Sequence, residues 1–128
     1  MIDHMGLTTH SPANARAFYE AALAPLGISL QMSVSAEESG GYEGYGFGVE
    51  GKPFFWIGGP GEAQTGVHVA FAANRRADVD AFYAAAMAAG GRDNGPPGIR
   101  AHYHPNYYGA FIFDPDGNNI EAVCHRPE

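Results

Sequence analysis

"HMGLTTHSPANARAFYEAALAPLG", residues 4–27, returns without a gap 64 residues later as "HVAFAANRRADVDAFYAAAMAAGG", residues 68–91. Nine of the 24 positions are identical, where average composition gives about two. Five of the nine are alanines. The other four are His4/His68, Phe18/Phe82, Tyr19/Tyr83 and Gly27/Gly91, and alanine richness does not explain those. The offset is half of a 128-residue chain. The sequence therefore reads as two copies of one module, 1–60 and 66–128, sharing a single domain and joined through "GGPGEAQTG" (58–66).

Each copy opens as a strand leading into a helix. In the first, Ser11 is a good N-cap, Pro12 a good first helical residue, and Gly27 closes the segment soon after the helix ends. In the second, the helix is predicted from Arg76 or Ala77 to Ala89, ending at Gly90-Gly91. Phe18 with Ala21-Ala22, and Phe82 with Ala85-Ala86, give each helix an i, i+3, i+4 apolar stripe. Strand-like runs follow near 28–35, 45–50 and 53–58, and again near 99–103, 108–113 and 119–125. The expected architecture is α+β: a βαβββ unit, twice, the two pairing into a cupped mixed sheet.

Side chains alternate across a strand. Met5, Leu7 and Thr9 share one face of the first strand, and Val67, Val69 and Phe71 the matching face in the second module. Those bulky faces should pack on the helices. His4 and His68 then fall on the opposite faces, beside small residues such as Gly6 and Ala70. A third group has the same character. After the turn Asp114-Pro115-Asp116-Gly117, the run Ile120-Glu121-Ala122-Val123-Cys124 reads as a buried strand with one carboxylate in it. A buried carboxylate must be paired or must hold a metal. Pairing with Arg16, Arg92 or Arg100 is one answer. Convergence of His4, His68 and Glu121 around a divalent cation (Fe, Mn, Ni or Zn) is the other, and repeat symmetry favours it.

The segment "DNGPPGIRAHYHPNYY" (93–108) has the Gly, Pro and Asn content of irregular backbone. Its His102, His104 and Tyr108 are candidates for moving a proton to or from a substrate. "GGYEGYGFG" (40–48) reads either as an aromatic cup wall or as a hairpin, and Trp56 is expected in the core with Phe54 and Phe55. The chain is 45% hydrophobic and 16% charged, with net charge −7. That composition is globular and argues against nucleic acid or anionic membrane as a partner. Cys124 is the single cysteine, so no intrachain disulfide forms; it falls opposite Glu121 and reads as packed and inert. With no apolar run near 18 residues and no leader pattern, the expected location is cytoplasmic.

The pieces "DHMGLTTHSPANARAFYEAALAPLG", "GVHVAFAA" and "FDPDGNNIEAV" together resemble the vicinal oxygen chelate superfamily. This is the family of glyoxalase I, the type I extradiol dioxygenases, methylmalonyl-CoA epimerase, fosfomycin-resistance enzymes and bleomycin-binding proteins. The resemblance implies paired βαβββ modules around a cup, with metal ligands on first and last strands; His4, His68 and Glu121 match three of those positions. Laying Gly51–Phe55 on Gly117–Glu121 puts Phe55 at the fourth, where glyoxalase I and the epimerase supply a carboxylate. Two His and one Glu make the dioxygenase ligand set. The resemblance also implies a small-molecule substrate with adjacent oxygens, dioxygenase-like or lyase/isomerase-like chemistry, and a homodimer. The alternative it offers is a metal-free, drug-sequestering module of the bleomycin-resistance type, which the acidic charge suits.

Overall fold

The computed structural model describes residues 1–128. Module one runs β1 (Met5–Thr8), α1 (Pro12–Leu23), a 3-10 turn at Ala24–Leu26, β2 (Ser29–Val34), a one-turn α2 (Ala36–Ser39), β3 (Glu43–Val49) and β4 (Lys52–Gly59). Module two runs β5 (His68–Ala72), α3 (Arg76–Ala88), β6 (Arg92–Asp93), β7 (Gly98–Ile99), β8 (Tyr108–Phe113) and β9 (Asn119–Cys124). Ser11 caps α1 as expected, accepting from the Asn14 amide. The short α2, not anticipated, is set by a Ser35/Glu38 capping box.

Two mixed sheets result, ordered β1-β4-β3-β2 and β5-β9-β8-β6, with β7 also on β8. In each, the first strand runs parallel to the last and lies at a sheet edge. The α+β class and the duplicated unit are thus as the sequence implied. One strand differs. The run expected at 99–103 is split into β6 and β7, and Ala101–Tyr103 lie in a turn. Pro96 and Pro97 cannot donate to a ladder, so the chain bulges between two short pairings on β8.

The core is shared. Leu7, Phe47, Phe55 and Ile57 of one sheet, Phe71, Ile112, Ile120 and Ala122 of the other, and both long helices belong to one buried cluster of 19 residues. The Phe55 and Phe71 rings meet edge to face at 5.2 Å. The Asp114–Asn118 turn locks the modules together: buried Asp114 accepts from the Tyr19 hydroxyl of α1 at 2.5 Å, and Asn118 ties to Gln64 and Val67 of the linker. Burial, then Asp114, push the Tyr19 hydroxyl well above its ordinary pKa. Both helix-facing sides turn inward on one core, so the two remaining sheet faces look away from it. No helix is long and apolar enough to cross a membrane.

Candidate functional site

The alternation expected in β5 holds: Val69 and Phe71 turn inward, while His68, Ala70 and Ala72 are exposed on the open face. On β9, Glu121 faces the same side, paired in register with Ala70 and with Phe111 of β8. Its side chain is fully buried nonetheless. Glu121 Oε1 lies 2.8 Å from His68 Nε2; facing a carboxylate, that nitrogen carries the ring proton. Oε2 accepts from the Tyr107 hydroxyl. Two donors therefore compensate a desolvation that costs several kcal/mol when a carboxylate is buried alone. None of the three arginines considered as partners takes part.

Tyr107, and not the Tyr108 expected from the sequence, is the residue that meets Glu121. Tyr108 lies on the other face of the sheet, its hydroxyl donating to Asp80 of α3 at 2.6 Å. The signal was present: Phe111 opposes Glu121, so Gly109 and Tyr107, two and four residues upstream, share the carboxylate's face. Gly109 leaves room there: a Cβ would stand 3.1 Å from the Tyr107 ring and 3.3 Å from Glu121 Oε2, tighter than ordinary contact. Burial, followed by the bond to Glu121, raises the Tyr107 pKa above its ordinary value of 10. The phenol thus stays a proton donor. Its ring is enclosed by Tyr103, His104 and His125. His104 accepts from the Asn106 amide through Nδ1, so Nε2 bears the proton donated to His125 Nδ1 at 2.7 Å. His104 therefore supports Tyr107 and does not reach the carboxylate. His102 lies tilted against Tyr103, ring centroids 4.2 Å apart, and lines a pocket of about 290 Å³ on the same open face.

His4 lies elsewhere. It precedes β1 and faces the open side of the first sheet, with Nδ1 2.6 Å from Asp3, which also pairs with Lys52 at 2.8 Å. Lys52 and then His4 lower the Asp3 pKa. No three His, Cys, Asp or Glu side chains of the chain cluster closely enough to hold a metal; within one chain His4 does not join His68 and Glu121. The register also corrects the counterpart of Glu121 in module one. Met5 pairs with Phe55 and Gly6 with Trp56, just as Val69 pairs with Ile120 and Ala70 with Glu121. Trp56, not Phe55, occupies the equivalent position. Phe55 is buried, while Trp56 sits on the open face with His4, Lys52 and Met32 around a hollow of about 590 Å³. Its indole lies against Gly46, where a Cβ would come within 2.8 Å. Neither residue is a carboxylate, so the fourth ligand position is empty of donors on either alignment.

As donors, His68 and Glu121 suit a divalent cation. Tyr107 would orient the carboxylate from behind, as outer partners of metal ligands do. The pair fits part of a metal site and lacks a third donor from its own chain.

Two βαβββ repeats, each with its first strand parallel to its last and with titratable groups on the open faces, define a paired-module α+β protein. The chain belongs to the Glyoxalase/Bleomycin resistance protein/Dioxygenase superfamily, whose family model matches residues 1–122. A glyoxalase/bleomycin resistance protein from Albidiferax ferrireducens T118 is similar at 31% identity and a TM-score of 0.76, over 97% of each chain. The glyoxylase/bleomycin resistance protein/dioxygenase domain from Frankia sp. EAN1pec gives a TM-score of 0.72 at 15% identity, over 98% of each chain. Glyoxalase I from Zea mays gives 0.69 at 20% identity, over 96% of this chain and 45% of that one. The last two likenesses are of fold. No curated protein matches the chain.

Proposed function

We propose that the chain is a metal-dependent enzyme acting on a small molecule with adjacent oxygens, and that its site is completed by a second copy. His68 and Glu121 hold the cation from one chain, and His4 of the other copy supplies the third donor. The observation that carries this reading is the fully buried Glu121 set 2.8 Å from His68 on an open sheet face, with His4 at the repeat-equivalent position of the other sheet. Within one chain His4 lies on the open face of one sheet and His68 with Glu121 on that of the other, and the three do not cluster; two chains juxtaposed by their sheet edges remove that obstacle. β1 and β5 each leave an edge without a partner strand. An apolar hollow of about 480 Å³, walled by residues such as Ile2, Met5, Val49, Phe54 and Val69, runs beside both. A second copy of the chain is the occupant those features suit.

The bound cation would act as a Lewis acid on the paired oxygens of the substrate. The remaining work belongs to the chain. Glu121 is held in one orientation by Tyr107 and by the space left at Gly109. Tyr107 keeps its proton near neutrality and offers it to the carboxylate or to a substrate oxygen. His102 stands at the mouth of the neighbouring pocket, able to exchange a proton with solvent. Tyr108 is not part of this set.

One observation favours the metal-free binding module instead: both oxygens of Glu121 already have partners in the chain. Elemental mass spectrometry on protein purified without chelator or affinity metal separates the two. The enzyme reading expects near-stoichiometric Fe, Mn, Ni or Zn, lost in His4→Ala, His68→Ala and Glu121→Ala with the fold kept. Absence of metal, with none taken up from solution, would leave the binding module.

A further inference from the structure

Beside Glu121 lies a pocket of about 290 Å³ lined by Asn94, Arg100, His102, Tyr103, Phe111 and Asn119, and no acidic side chain faces it. It shares a wall with the candidate metal ligands: Phe111 pairs with Glu121 across β8 and β9, and Asn119 pairs with His68. Arg100 is the unusual member. The chain has 14 Asp and Glu against 7 Lys and Arg, and Arg16, Lys52 and Arg75 each pair with an acid. Arg100, like Arg76, Arg92 and Arg126, pairs with none, and of those four it alone lines a pocket. Its guanidinium is fixed in place all the same, lying over the Phe111 ring at 5.3 Å and donating one N–H to the Pro96 carbonyl at 2.7 Å. Gly95 and Gly98 close around it; a Cβ at either would stand 3.1 or 3.2 Å from a guanidinium nitrogen. A guanidinium held still, with N–H groups to spare and no internal acid, is built for an external anion.

We infer that Arg100 anchors the carboxylate of a small monoanionic substrate, so that the substrate class is a compact, flat-bodied carboxylic acid. The inference rests on taking the open face of the second sheet as the active face. One fixed cation in a chain of net charge −7 matches a single negative charge; a dianion such as a phosphate ester calls for more. The volume is at the lower end for ligand pockets, which run from about 300 Å³ upward, and the Phe111, Tyr103 and His102 rings suit a planar body. Asn119 adds a side-chain amide to the same wall.

The test is a pair of NMR titrations of chelator-treated, metal-free protein, at matched ionic strength, with sodium benzoate and with benzamide, its neutral isostere. Benzoate should bind saturably in the millimolar range, shifting amides of residues 94, 95, 98–103 and 111, and benzamide should bind at least about tenfold more weakly. Arg100→Gln should weaken benzoate by about tenfold and Arg100→Lys by less, because a point charge replaces the fork. Arg92→Gln removes the same charge from over Phe113, outside the pocket, and should change nothing. Equal binding of benzamide, unaltered benzoate binding in Arg100→Gln, shifts confined to another part of the chain, or no saturable benzoate binding would each overturn the inference. Because no metal is present, these outcomes are independent of the metal content that tests the enzyme reading.

Discussion

At the residue scale, the site turns on what surrounds one carboxylate. Glu121 is buried because His68 and Tyr107 each donate to it and because Gly109 leaves it room. Tyr107→Phe keeps the ring and its packing while removing one donor. It should cost about 1–3 kcal/mol, the usual penalty for stripping a partner from a buried charged group, read as a lower urea midpoint. The same variant carries a pH signature. The folded pKa of Tyr107 is raised above the unfolded value of 10, so the folded state binds the proton more tightly than the unfolded one. That contribution is fully present below pH 10 and is lost as pH rises through the folded pKa. Thermal melts should fall more steeply above pH 10 in the wild type than in Tyr107→Phe; parallel curves would show that the phenol and carboxylate are not coupled.

At the element scale, the joint between the modules is the turn after β8. Asp114 receives the Tyr19 hydroxyl from α1, and its neighbour Asn118 reaches back to the linker. Tyr19→Phe should destabilise the whole chain by about 1–3 kcal/mol, in a single transition if the modules fold as one unit. Two transitions in urea would mean the modules are independent. The two long helices, the Ser11 cap of α1 and most of the strands after them were legible because His4/His68, Phe18/Phe82 and Tyr19/Tyr83 mark the repeat and the helix stripes mark the core. What was not legible came down to parity. A one-residue slip exchanges the faces of a strand, and it did so twice: Tyr108 was chosen where Tyr107 faces Glu121, and Phe55 was aligned where Trp56 stands. In the first case the strand's start was unmarked. In the second, Trp56 lies one residue further beyond its turn glycine, Gly51, than Glu121 lies beyond Gly117. The split of the 99–103 strand had a visible cause in Pro96-Pro97, but nothing local says where the chain resumes pairing.

At the scale of the whole molecule, the shared core decides where the chemistry can be. Packing both helix faces inward leaves His4 on the open face of one sheet and His68 with Glu121 on that of the other, and a sequence shows residues on faces without showing which faces meet. If two copies join along the β1 and β5 edges, charges placed in the apolar hollow should part them. Ile2 and Val49 are 82% and 43% exposed in the single chain, so Ile2→Glu with Val49→Glu should leave folding intact and weaken self-association by about tenfold or more in sedimentation equilibrium. An unchanged dimer, or a wild type that is monomeric at every concentration, would remove the basis for a shared site. The central claim is most directly tested by co-expressing His4→Ala with Glu121→Ala and measuring metal per chain. Each variant alone should hold none. Random pairing should restore about a quarter of the wild-type content, since half the dimers are mixed and each mixed dimer has one intact site of two. A mixture as empty as its parents would contradict a site built across two chains.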